Sequence, residues 1–147
     1  MKFGGTIIIN QPYEKLAALF ADTNNLKEWQ DGFQKKELIS GIEGENGAVS
    51  SIYLSQGKRD MELVETIIDN QLPHYFEATY HHKHMDNTLK TSFTPINGSQ
   101  TEYKTEGEYT RINWVMPRLM AILFPSMFRK QAYKWMKNFK QFAENQA

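Results

Sequence analysis

Glu102-Tyr103-Lys104-Thr105-Glu106-Gly107-Glu108-Tyr109 decides how the chain folds. Tyr103, Thr105, Gly107 and Tyr109 share one side of an extended strand, and Glu102, Lys104, Glu106 and Glu108 share the other. Successive side chains of a strand point to opposite faces, so one face meets water and the other a core. The same parity puts Leu89, Thr91 and Phe93 inside on the preceding strand, and Phe76, Ala78, Tyr80 and His82 inside on the one before. Met61, Leu63, Glu65 and Ile67 also share a face. Their phase is ambiguous, and one of its two settings turns Glu65 inward.

Turn signals separate these strands. They fall at Gly41 with Glu43–Gly47, at Gln56-Gly57-Lys58, at Asn70–Pro73, at Met85-Asp86-Asn87 and at Asn97-Gly98-Ser99. Short connections predict an antiparallel meander of six strands. Lys2 to Asn10, with Ile7, Ile8 and Ile9, adds a strand in front of it. Between the two, Pro12 opens a helix carrying Leu16, Leu19 and Phe20, and a second short helix from about Leu26 carries Trp29 and stops before Gly32. Beyond the meander, Phe128, Ala132, Trp135, Phe139 and Phe142 step by four, three, four and three. That stripe defines an amphipathic helix of about 20 residues, roughly 30 Å long. The segment from Trp114 to Phe124 is apolar almost all round, and Pro125 predicts a kink or break at Phe124.

The expected fold is therefore α+β: a seven-stranded curved antiparallel sheet, two short helices after strand 1, and a long C-terminal helix in its concave face. A length of 147 residues suits one domain, 1–147, with its own core. No cysteine is present, which excludes disulfides and thiolate metal sites. The N-terminus has no signal-peptide pattern, so the expected compartment is cytoplasmic. The 17 basic and 17 acidic residues cancel, but unevenly. From Arg111 onward, seven basic residues face one acid, Glu144. The rest of the chain carries ten against sixteen. Complementary packing of helix and sheet accounts for this; a membrane or partner facing the basic helix is the alternative.

This order of elements resembles the START-like or SRPBCC superfamily, with its Bet v 1-type helix-grip fold. The stretch Asn10-Gln11-Pro12-Tyr13-Glu14-Lys15-Leu16 is similar to its proline-led passage from strand to helix, and Asp22 to Trp29 to the start of its second helix. Gly47, Gly57 and Glu65-Thr66-Ile67-Ile68-Asp69-Asn70-Gln71-Leu72-Pro73 resemble its glycine–strand–hairpin–strand–proline run. The resemblance spans essentially the whole chain. It implies that something binds between sheet and helix, because the superfamily holds lipid and sterol carriers, hormone-binding and allergen proteins, polyketide cyclases and co-chaperone-like members.

Ligand pockets are mostly apolar and aromatic with a few placed polar groups. The expected lining is Trp29, Phe33, Tyr53, Phe76, Tyr80, His82, Phe93, Tyr103, Tyr109, Trp114, Leu119, Leu123 and Met127. A small hydrophobic molecule, lipid-, sterol- or polyketide-like, is the expected partner, bound or carried without catalysis. A cyclase- or hydrolase-like enzyme is the alternative, and Glu65 and His82 are its acid–base candidates. A third reading is an interaction module using the C-terminal helix, with a homodimer or membrane contact through the apolar stretch. His82 and His84 could meet a metal, but nothing completes the site except nearby Asp86, and a polar strand end is favoured. No cofactor and no metal are expected. Nucleic-acid binding is not expected either, because the basic residues lie on one helix without an aromatic platform.

Overall fold

The computed structural model describes residues 2–56, 59–112 and 118–147, with the backbone alone for 56, 59 and 118–128. Strand β1 (Lys2–Ile9) is followed by helix α1 (Tyr13–Ala21), a 3-10 turn (Thr23–Asn25) and helix α2 (Leu26–Trp29). Six strands come next: β2 (Phe33–Ser40), β3 (Val49–Gln56), β4 (Arg59–Gln71), β5 (Tyr75–His82), β6 (Met85–Asn97) and β7 (Gln100–Ile112). Helix α3 (Arg118–Glu144) ends the fold. The strands form one antiparallel sheet in the order β1-β7-β6-β5-β4-β3-β2. The meander follows from the short turns, and β1 closes it by pairing with β7, Ile7 opposite Tyr103.

Register aligns the inward residues into rows across the sheet. Tyr103 stands opposite Phe93, Thr105 opposite Thr91, and Gly107 opposite Leu89, which in turn faces Ala78. Gly107 lies beneath the Phe3 ring, and a Cβ there would come within 2.2 Å of it. Irregularities at Phe33/Lys35, Leu38/Ser40, Ile67/Asp69, Asp86/Asn87 and Pro95/Asn97 bend and re-phase the strands.

Helix α3 presses its apolar stripe onto this face. Phe139 is fully buried, with ring centroids 5.3 Å from Trp29, 5.4 Å from Tyr103 and 6.0 Å from Phe20. Ile9, Leu16, Phe93, Met136 and Ala143 complete that core. The C-terminal end is pinned: Glu144 accepts a hydrogen bond from Asn10 N at 2.7 Å, and Gln11 Nε2 donates to Ala143 O at 2.8 Å.

Two expectations change. The helix is continuous through Pro125 and is not broken at Phe124. Proline removes one backbone hydrogen bond, and 27 residues of helix carry the turns on either side of it. The β5–β6 turn falls at Lys83-His84 and not at Met85–Asn87. Met85 is 6% exposed and pairs with His82, so burial keeps it in the strand. The expected turn at Gln56-Gly57-Lys58 and the segment from Trp114 to Pro117 lie outside the described residues.

Candidate functional site

A cavity of about 250 Å³ lies between the concave face of the sheet and the helices. Its floor is largely aliphatic, with Ile52, Leu54, Met61, Leu63, Ile67 and Leu89. Its roof comes from Phe20, Leu26 and Trp29 on one side and Ala132, Trp135 and Met136 of α3 on the other. These residues meet because helical spacing on α3 and strand parity on the sheet turn both apolar surfaces to the same space.

A row of polar side chains crosses the aliphatic floor. Ser50 is opposite Glu65, Glu65 opposite Tyr80, Tyr80 opposite Asn87, and Asn87 opposite Tyr109. Neighbouring strands lie about 4.8 Å apart, so polar groups recur at that interval from β3 to β7. Glu65, Tyr80, Asn87 and Tyr109 all line the cavity.

At the centre of this row Glu65 is 5% exposed. Tyr80 Oη donates to its Oε2 at 2.8 Å, and Lys36 Nζ stands 2.9 Å from its Oε1. The Lys36 contact is an ion pair without hydrogen-bond alignment, since Glu65 Oε1 has no hydrogen-bond partner among the described residues. The lysine offsets a charge that burial would otherwise make costly. Burial, reinforced by the charge of Glu65 and the hydrogen bond to it, raises the Tyr80 phenol well above its ordinary value. Burial lifts Tyr103 to about 12 and also raises Tyr109. These phenols therefore stay protonated at neutral pH. The Thr105 hydroxyl near Tyr103 opposes the rise a little, although it forms no aligned hydrogen bond. The indole N–H groups of Trp29 and Trp135 have no acceptor among the described residues and are closed off from solvent-sized space.

The structure brings Trp29, Phe76, Tyr80, Tyr103, Tyr109 and Glu65 to this cavity. It places others elsewhere. Tyr53 lies on the opposite face, because Ile52 and Leu54 take the inward positions of β3; the Lys35 ammonium sits over its ring at 4.9 Å. Phe93 is 2% exposed and belongs to the packed core, stacked on Tyr103 at 5.5 Å. Phe33 lines a neighbouring polar pocket. His82 has the inward parity but sits beyond the cavity at the end of β5, with its ring 5.4 Å from that of His84. Burial, then the positive neighbours, lower its pKa. Among the described residues no cluster suits a metal ion. Asp86, the residue closest to completing one, is held by His81 Nδ1 at 2.5 Å and by Arg111 Nε at 2.8 Å. Trp114 lies outside the described residues, as do the side chains of Leu119, Leu123 and Met127. Lys36, Ser50, Asn87 and the roof residue Phe20 were not among the expected site residues.

What the cavity can do follows from these parts. It can take an apolar body against its walls and match oxygen functions along the floor. Lys36 can donate, and Glu65 can accept a hydrogen bond or a proton. Among the described residues, no helix is long and apolar enough to cross a membrane.

No protein-family model and no curated protein sequence matches the chain. Solved structures do. An aromatase/cyclase, Zhui from Streptomyces sp. R1128, is 8% identical, with a TM-score of 0.82 over 98% of this chain and 93% of that one. A START superfamily protein from Mycobacterium smegmatis is 9% identical, with a TM-score of 0.71 over 97% and 94%. Norcoclaurine synthase from Thalictrum flavum is 14% identical, with a TM-score of 0.69 over 97% and 93%. The chain therefore has the START-like, Bet v 1-type helix-grip fold. Proteins of that fold include binders of hydrophobic ligands and polyketide cyclases.

Proposed function

We propose that this protein binds or carries a small hydrophobic molecule bearing oxygen functions, held between the sheet and α3. The observation behind this reading is the polar row from Glu65 to Tyr109 crossing an otherwise apolar cavity. An aliphatic ligand would leave that row facing carbon, which is costly for buried polar groups. A ligand with hydroxyl or carbonyl groups satisfies it while burying its apolar body. Trp29 and Trp135 line the cavity, so their fluorescence reports occupancy. Titration with anthraquinone, its dihydroxy derivative and anthracene tests the reading. The oxygenated compounds should perturb the emission saturably with one site per chain, and anthracene should bind more weakly. Equal affinity for all three, or no saturable binding, would remove it.

Glu65 also supports a second reading, as an acid–base group in a cyclase- or hydrolase-like reaction. It is a buried carboxylate on the cavity wall with a lysine ammonium 2.9 Å away. Such a pair could take a proton next to a ligand carbonyl while the ammonium steadies the oxygen. Hydrogen–deuterium exchange at the carbon between the carbonyls of a bound 1,3-diketone, lost in Glu65→Gln, is its signature. His82 has no part in this reading, because it lies beyond the cavity.

A further inference from the structure

A second pocket of about 270 Å³ adjoins the first, and the two share Thr23, Lys36 and Glu43 in their walls. It opens between the 3-10 turn before α2 and the β2–β3 hairpin, and it is polar where the main cavity is apolar. From this juxtaposition we propose that the annex is a headgroup site, and that the physiological ligand carries a carboxylate that lies in the annex while its apolar, oxygen-bearing body fills the main cavity. The inference rests on the binding reading above and specifies its ligand.

Three observations carry it. First, Ser50 lines the annex, and its hydroxyl makes no hydrogen bond among the described residues and is not one of the closed-off unpaired atoms, so it opens on the annex and is available to an oxygen-bearing group. Second, Lys36 stands at the boundary between the two spaces. Its ammonium has three donors, and its contact with Glu65 on the cavity side leaves donors for the annex side. Third, Lys27 lines the annex and makes no ion pair among the described residues. Two lysines and the hydroxyls of Ser50 and Thr23 make a donor-rich chamber suited to a carboxylate. Among the described residues Glu43 is the one acid in the annex wall, and Glu65 stands across Lys36 on the cavity side. Both work against an anion, so removing the Glu43 charge should strengthen its binding.

The position of the annex also orients the ligand. The apolar end passes into the cavity first and the charged end stays at the annex, because a carboxylate moved onto the aliphatic floor would lose its water without a partner.

The test compares anthraquinone-2-carboxylate with 2-(hydroxymethyl)anthraquinone, which share the oxygen-bearing body tested above and differ in the headgroup. Binding is followed by Trp fluorescence at neutral pH and low salt. Wild type should bind the carboxylate at least about fivefold more tightly than the alcohol, a preference weakened by salt. Lys27→Gln should weaken the carboxylate about threefold, as for an exposed charge contact, and should move the alcohol no more than about 1.5-fold. Glu43→Gln should tighten the carboxylate by about threefold. Lys36→Gln, which keeps a donor, should weaken the carboxylate about tenfold. The alcohol binding as tightly as the carboxylate, or the carboxylate unmoved by both Lys27→Gln and Glu43→Gln, would overturn the headgroup site while leaving the cavity reading intact. Tighter binding of 2-(aminomethyl)anthraquinone than of the carboxylate would overturn it too. If neither the alcohol nor the carboxylate binds, the cavity reading falls along with it.

Discussion

Replacing Lys36 by methionine isolates the electrostatics of the site. In the wild type the Lys36 and Glu65 side chains are 17% and 7% exposed and 2.9 Å apart. Methionine keeps most of the lysine stem but leaves the Glu65 carboxylate with Tyr80 as its one side-chain partner among the described residues. Removing one member of a buried ion pair costs about 3–5 kcal/mol. Lys36 retains some contact with water, which places the expected loss at the lower end, roughly 3 kcal/mol. For a chain of this size that is a fall in Tm of roughly 6–12 °C. The double variant Lys36→Met/Glu65→Gln removes both charges and should return to within about 1 kcal/mol of wild type, since a neutral amide still accepts from Tyr80. Urea unfolding at neutral pH, followed by far-UV circular dichroism, measures all four corners of the cycle. If Lys36→Met is as stable as wild type, or if the double variant is as unstable as the single one, Glu65 is not a buried charge compensated by Lys36. The account of the cavity floor would then be wrong.

Three further outcomes follow from the same geometry. Tyr103 ionises near 12 in the folded protein because it is buried, and near 10 when unfolded, so its contribution is complete below pH 10 and disappears as pH rises through 12. The loss is on the order of 3 kcal/mol, and urea midpoints on either side of that window should fall more steeply for wild type than for Tyr103→Phe; parallel profiles would contradict it. Phe139→Ala should lose about 3–5 kcal/mol in urea unfolding, since Phe139 is fully buried among Phe20, Trp29 and Tyr103; a loss under about 1 kcal/mol would contradict that packing. Gly32 has φ +79°, and a Cβ there would meet Ser55 O at 1.9 Å. Gly32→Ala should therefore cost more than about 1 kcal/mol in thermal unfolding, and an unchanged Tm would contradict the close approach.

Strand parity made most of the fold legible in the sequence. From Tyr103 to Tyr109 the alternation is uninterrupted, and the structure turns those residues inward. Parity reads less well where register shifts. The irregularity between Phe33 and Lys35 puts Phe33 opposite Leu54 and Lys36 opposite Ile52, so residues of opposite parity both sit over the inward face. That is why Lys36, on a strand rich in charges, gave no sign of a role. Cross-strand pairing was the signal that could have found it: once Glu65 is turned inward, a buried carboxylate needs a cation within reach on a neighbouring strand. Ser50 and Asn87 were hidden for a related reason, since each gains meaning only as a member of a row built from separate hairpins. Tyr53 misled through composition. An aromatic residue in a strand suits a core, but its neighbours Ile52 and Leu54 hold the inward phase, and Lys35 covers the ring outside. Proline chemistry pointed to a kink or break at Phe124; the break does not occur, since helix runs on both sides of Pro125 and through it.

Native mass spectrometry of wild type beside Ala132→Trp tests the central claim most directly. Ala132 lines the cavity from α3, and an indole placed there occupies the space proposed for ligand. Wild type purified without denaturation, or mixed with the dihydroxyanthraquinone, should carry one small molecule per chain. The Ala132→Trp variant, folded by circular dichroism, should appear at its bare mass under the same conditions. Equal occupancy of the two proteins, or a wild type that takes up neither cellular ligand nor added compound, would contradict a ligand-binding cavity between the sheet and α3.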